Sequence, residues 1–136
     1  MQLFVNDLTV IDCSYLCPQR GIVGESWIVD IILDGNLNEQ SMVLDFGKVK
    51  KQVKAIIDDS VDHKLLIPVE HSYTKVTHND DDSSYWVDFN RDSSRSIHLF
   101  CPSDSFAFID ADTVNIDTVT DYVKAVIKQE LPVNVE

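Results

Sequence analysis

In residues 25–36, ESWIVDIILDGN, Trp27, Val29, Ile31 and Leu33 share one face of an extended chain while Asp30 and Asp34 lie on the other, before the turn signal Asp34-Gly35-Asn36. Residues 2 to 15 carry a similar signature, with Leu3, Val5, Leu8 and Val10 separated by polar residues. Two such runs in succession predict a long antiparallel hairpin with residues 16 to 24 as its connection. That connection holds Cys17-Pro18 and two glycines, Gly21 and Gly24, whose backbone takes conformations a bulkier residue resists.

The next segment has helical spacing. Phe46, Val49, Val53, Ile56 and Ile57 recur on one face behind Asp45, which is placed to cap the helix, while Lys48, Lys50, Lys51 and Lys54 take the wet side. A second helix is predicted from about Asp117 to Leu131, with Val119, Tyr122, Val123, Val126 and Ile127 as its stripe and Pro132 ending it. Between the helices, an insert of about residues 69–113 reads as three or four short strands separated by polar turns at Asn79 to Ser84 and Asn90 to Ser96. These elements predict one α+β domain, with two helices on one face of an antiparallel sheet.

At 136 residues the chain has the size of one domain, able to bury about two thirds of its unfolded surface. Its net charge of −12 argues against nucleic acid and anionic lipid as partners. With no basic, apolar leader at "MQLFVNDLTVID" and no long apolar run, a cytoplasmic protein is expected. Cys13, Cys17 and Cys101 form no C-x-x-C pair, so neither a disulfide framework nor a zinc knuckle is indicated. Nucleotide-loop, nucleophile-elbow and H-E-x-x-H patterns are absent from the sequence.

Asp62-His63 stands where the first helix must stop. Locally, the imidazole suits the negative end of the helix dipole and the acid faces water. Functionally, Asp62 orients His63 as a proton carrier near neutral pH. Elsewhere, His71 and His78 with Asp80, Asp81 and Asp82 form a weak metal candidate on one hairpin, more simply a solvated turn. Asp110, Asp112 and Asp117 suit the start of the second helix, and Trp27 and Trp86 read as ordinary strand residues.

"SMVLDFGKVKKQVKAIIDDSVDHKLL" resembles a segment of the 6-pyruvoyl- and 6-carboxy-tetrahydropterin synthase family that runs Gly-Met-Val-x-Asp-Phe, helix, Leu-Asp-His-x-x-Leu. Met42, Val43, Asp45, Phe46, Asp62, His63 and Leu66 stand in the matching places, and the resemblance covers residues 1 to about 68. It implies the tunnelling fold, whose copies join their sheets into a barrel with active sites between subunits. The expected partners are therefore further copies or a second tunnelling-fold domain, with a pterin-like small molecule as ligand.

The resemblance also implies a zinc site of three histidines, one in Phe-x-Ala-x-His and two in His-Gly-His. On this chain those positions hold Tyr15, Val23 and Glu25, so no metal is expected unless zinc is held by a rebuilt site, with Cys13 beside Glu25, or supplied by another domain. The family's cysteine lands on Gln19, with Cys17 as a shifted candidate, and the Asp-His pair survives as Asp62 and His63. The acid that holds the pterin in the family lies on a late strand, and the sequence stops at "LPVNVE", where that strand is due. A missing final hairpin is thus expected, as in the amino-terminal half of longer relatives that share "GESW" and keep His-Gly-His in a second half. Three functions fit: a degenerate module giving assembly contacts or a pocket wall; a lyase acting on a dihydroneopterin triphosphate type of substrate; and a pterin- or purine-binding protein gripping its ring through Glu25.

Overall fold

The two alternating segments form β1 (Gln2–Cys17) and β2 (Gly21–Asp34), paired antiparallel from Gln2 opposite Asp34 to Cys17 opposite Gly21. The structure, a computed structural model, describes residues 2–34, 39–81, 83–91 and 96–130, with 2, 3, 33, 34 and 39–48 described as backbone only. The hairpin connection is residues 18–20, far shorter than expected, because Leu16 and Ile22 continue the alternation to the turn. Gly21 closes it at φ +85°, a left-handed conformation that costs other residues strain. A register shift between Val5 and Thr9 breaks the strict alternation. There Asp7 adopts φ +56° and donates its N–H to Asp30 Oδ1 at 2.6 Å.

Helix α1 (Glu39–Val61) begins six residues before Asp45, so Asp45 lies inside it and is not its cap. The stretch Glu39 to Leu44 contains no helix breaker, and the helix extends through it. Of the stripe read above, Val53, Ile56 and Ile57 are buried and Val49 partly buried against Val5, Leu8, Ile11 and Cys13, Val61 extends it, and Phe46 lies outside the described side chains.

β3 (Leu65–Pro68) follows at once and was not foreseen as a strand. Four residues are too few to show a period, and Leu66 and Ile67 are fully buried on opposite faces. The insert supplies β4 (Thr74–Asn79), β5 (Ser84–Phe89) and β6 (Ile97–Pro102), then a 3-10 turn at Ser103–Ser105 and β7 (Phe106–Ile109). The strand ends fit both foreseen turns, since β4 stops at Asn79, β5 spans Ser84–Phe89 and β6 starts at Ile97, while residues 82 and 92–95 lie outside the described residues. α2 (Ile116–Glu130) completes the described chain, while Leu131 and Pro132 lie outside it. Its cap is Asn115: Asn115 Oδ1 accepts the Thr118 N–H and Thr118 Oγ1 accepts the Asn115 N–H, both at 2.9 Å.

The main sheet runs β2-β1-β3-β7, and β4-β5-β6 form a separate antiparallel sheet. β3 lies parallel to both β1 and β7, so the main sheet is mixed rather than wholly antiparallel. Both helices pack on one face, with Val119 and Val123 of α2 joining the α1 stripe. On the other face, Leu16, Ile67 and Phe106 meet Val87 and Phe89 of the insert. Among the described residues nothing covers the far end of that face: Phe4, Val10, Ile28 and Ile32 are each about half to two thirds exposed (64%, 48%, 65% and 57%).

Candidate functional site

α1 ends in a left-handed turn at His63 (φ +59°), with the Lys64 N–H donating to the Val61 carbonyl at 3.3 Å. The pair then fastens the helix end to the hairpin. Asp62 Oδ1 accepts the Asp12 N–H at 2.9 Å, the His63 N–H donates to the Asp12 carbonyl at 2.7 Å, and the Ser14 N–H donates to the Lys64 carbonyl at 3.1 Å. From this anchor β3 runs on alongside β1, Leu65 opposite Ser14.

The side chains reverse the local expectation. Asp62 is 18% exposed and serves the backbone of β1, whereas His63 is 78% exposed, its Nε2 3.4 Å from Asp62 Oδ2. An open imidazole beside a fixed carboxylate can exchange protons with solvent or with a small molecule resting on the strand. One helical turn earlier Asp58 receives hydrogen bonds from Thr9 Oγ1 at 2.7 Å and Lys54 Nζ at 2.9 Å. Although burial opposes it, these partners hold the Asp58 carboxyl below its ordinary value.

Cys13 and Glu25 are cross-strand partners beside this anchor. Burial, and then the negative charges of Glu25, Asp62 and Asp12, push the Cys13 thiol up to about 11. It is therefore protonated at neutral pH and is not a ready nucleophile. An open concavity of about 780 Å³ runs over residues 12–14 and 24–26, bounded by residues 63–65 and Ser105. Within it Asp12 Oδ1 accepts the Ser26 hydroxyl at 2.5 Å.

Tyr15, Val23 and Glu25 do share one face of the hairpin: Tyr15 is opposite Val23, and Glu25 is the next position of β2 on that face. Their chemistry does not fit zinc. Val23 is buried and has no donor atom, while Tyr15 stacks against Trp27 with ring centroids 6.4 Å apart. Glu25 is left with the protonated Cys13, and among the described residues no group of three His, Cys, Asp or Glu is arranged to hold an ion.

Cys17 is not brought to the pair. It sits at the hairpin end with its Sγ 3.4 Å from Gln19 Oε1, five strand positions or roughly 16 Å along β1 from Asp12. Nor do the insert histidines gather. His71 packs on Tyr73 and Phe89 before β4, while His78 meets Asp80 at 3.2 Å beyond its middle, and Asp82 lies outside the described residues. Asp117 lies in the first turn of α2, and Asp110 and Asp112 precede it. Asp12 and Ser105 were not read as site residues. No local pattern marks them, because the pairing of β3 with β1 and β7 brings them near the Asp-His turn.

A helical layer on a mixed sheet built around one long hairpin defines an α+β fold of the tunnelling type. The family model for 6-pyruvoyl tetrahydropterin synthase matches residues 15–102, and the chain belongs to that family. The 6-pyruvoyl tetrahydropterin synthase of Plasmodium vivax superposes with a TM-score of 0.68 at 14% identity, over 98% of this chain and 80% of that one. A P. vivax variant described as a catalytic residue mutant, with glutamate replaced by alanine, gives 0.69 at 15% identity, with the same coverages of 98% and 80%. The P. falciparum enzyme gives 0.67 at 13%, again over 98% and 80%. No curated protein sequence matches.

Proposed function

We propose that this chain is a module of its family that supplies assembly contacts and part of a pocket wall, without zinc-dependent catalysis of its own. The observation that carries this reading is the uncovered end of the β1–β2 face. Phe4 lies opposite Ile32 and Val10 opposite Ile28, a row of two exposed apolar pairs with Asp30 between them. Such a row is stabilised when a second sheet covers it, as a further copy or a second tunnelling-fold domain would. The side chains at the family's ligand positions are consistent with this, since Tyr15 and Val23 pack instead of coordinating. A net charge of −12 favours neither nucleic acid nor anionic membrane as partner, and among the described residues no helix is long and apolar enough to cross a bilayer. The cytoplasm is the compartment in keeping with its unpaired cysteines. Sedimentation velocity tests the assembly reading. The parent chain is expected to sediment well above its 15.4 kDa monomer, and Ile28→Glu to return it to monomer with unchanged circular dichroism. A parent that stays monomeric at high micromolar concentration refutes it.

A second reading is a pterin-handling lyase, favoured by the concavity that gathers His63, Glu25 and Cys13. In the P. vivax relative a glutamate is the catalytic residue, and here Glu25 is the carboxylate available to activate a substrate or to grip a pterin-like or purine-like ring. Incubation with dihydroneopterin triphosphate separates the cases. Product that disappears in Glu25→Gln and His63→Ala supports the lyase, whereas saturable binding without product supports a pterin-binding protein.

A further inference from the structure

The insert sheet has an outward face that neither the helices nor the main sheet covers among the described residues. Val87 and Phe89 point inward and are fully buried, whereas Trp86, immediately before Val87 on the central strand β5, points out. Thr77 of β4 and Phe100 of β6 flank it in register. The Trp86 and Phe100 rings lie 4.2 Å apart between centroids at 30°, and the two side chains are 49% and 43% exposed. The centre of a solvent-facing sheet is thus an aromatic platform.

Its surroundings are acidic. The β4–β5 turn carries Asp80, 95% exposed, and Asp81, also exposed. That turn is tied to the 3-10 turn bearing the exposed Asp104 by a hydrogen bond from the Ser103 N–H to the Ser83 carbonyl at 3.0 Å. At the other end of the platform Asp88 holds His98 Nδ1 at 2.7 Å, with Lys75 as its cross-strand neighbour.

We propose that this face docks an arginine-bearing, cationic segment of another protein, a guanidinium stacking on Trp86 while further positive charge meets the Asp80, Asp81 and Asp104 rim. A flat guanidinium matches an exposed indole face, and the rim and net charge of −12 supply complementary potential. The same charge disfavours nucleic acid, and a second copy seated on this face would bring its own acidic rim against this one. This partner is independent of the assembly contacts on the β1–β2 face, which carry none of these residues.

The test is a titration of the ¹⁵N-labelled full chain, watching the Trp86 indole N–H, assigned by its loss in Trp86→Phe. The ligands are a short alternating glycine-arginine peptide, its uncharged glycine-citrulline counterpart, and maltohexaose. The Trp86 signal is expected to shift saturably with the arginine peptide alone, more tightly at low salt. Followed by the backbone amide signals of β5 and β6, Trp86→Ala should weaken binding by about fivefold to tenfold, and the exposed-site variant Asp80→Asn/Asp81→Asn/Asp104→Asn should also weaken it. An equal shift with the citrulline peptide overturns the proposal, as does a shift with maltohexaose alone, movement on raising protein concentration without ligand, or no shift with any ligand.

Discussion

Replacing Asp62 by alanine should cost far more stability than any change at His63. Asp62 is mostly buried, and its Oδ1 satisfies the Asp12 N–H on a strand fifty residues earlier. Deleting the carboxylate removes a charge-assisted hydrogen bond and leaves that N–H without its partner, a loss of about 1.5–3 kcal/mol. For a chain of this size, 2 kcal/mol corresponds to a fall in Tm of roughly 6–10 °C. Asp62→Asn keeps an acceptor oxygen and should lose about half as much. His63, 78% exposed, holds the helix end through its backbone N–H, which any residue but proline supplies. Because its φ is +59°, His63→Gly relieves left-handed strain and should stabilise by about 0.5–1 kcal/mol. Paired urea titrations followed by circular dichroism measure all three variants. If His63→Gly destabilises as much as Asp62→Ala, the anchoring role assigned to Asp62 is wrong.

The thiol of Cys13, buried and raised to about 11, should resist iodoacetamide at pH 8 in the folded chain while Cys17 and Cys101 react, as peptide mass spectrometry will show. Asp58 titrates below its ordinary value when folded, so its contribution is present above about pH 4 and is lost as pH falls through the folded value. The stability gap between parent and Asp58→Asn should therefore be widest near neutrality and close in acid, and a gap that widens in acid would contradict the assignment. Arg91 donates from Nε to the Pro18 carbonyl at 2.9 Å and from a terminal nitrogen to the Gln19 carbonyl at 2.7 Å, clamping the insert onto the hairpin turn. Arg91→Ala should speed amide exchange at residues 19–21. Gly21→Ala, at φ +85° and with its added Cβ 3.1 Å from Arg91 Nη1, should cost about 1–2 kcal/mol.

Much of this architecture is legible in the sequence where a period is long enough to count. Trp27, Val29 and Ile31 do line the helix-covered face, and Val119 and Val123 do face the core from α2. The opposite face was harder to read, since a sequence cannot say that Val10 and Ile28 remain uncovered while Leu16 is sealed by the insert. β3 escaped because Leu66 and Ile67 are buried on both sides and show no alternation. The start of α1 escaped because Asp45 looks like a cap and the residues before it tolerate helix equally well. In the site, Tyr15, Val23 and Glu25 share one face of the hairpin because the β1–β2 register sets Tyr15 opposite Val23 and Glu25 two positions along. The bond from Asp12 to Asp62 was invisible, because it joins residues whose proximity only the tertiary fold creates. The platform at Trp86 was invisible too, since an alternating strand does not reveal which of its faces is left open.

The central claim is that the family's zinc position has become packing on this chain. It is tested most directly by the zinc-to-protein ratio of untagged protein purified without added metal, measured by elemental mass spectrometry. With Val23 buried, Tyr15 stacked on Trp27 and the Cys13 thiol protonated, the ratio should be far below one. A ratio of about one zinc per chain, lost in Glu25→Gln, would contradict the claim and restore a metal-dependent reading of the Asp62-His63 site.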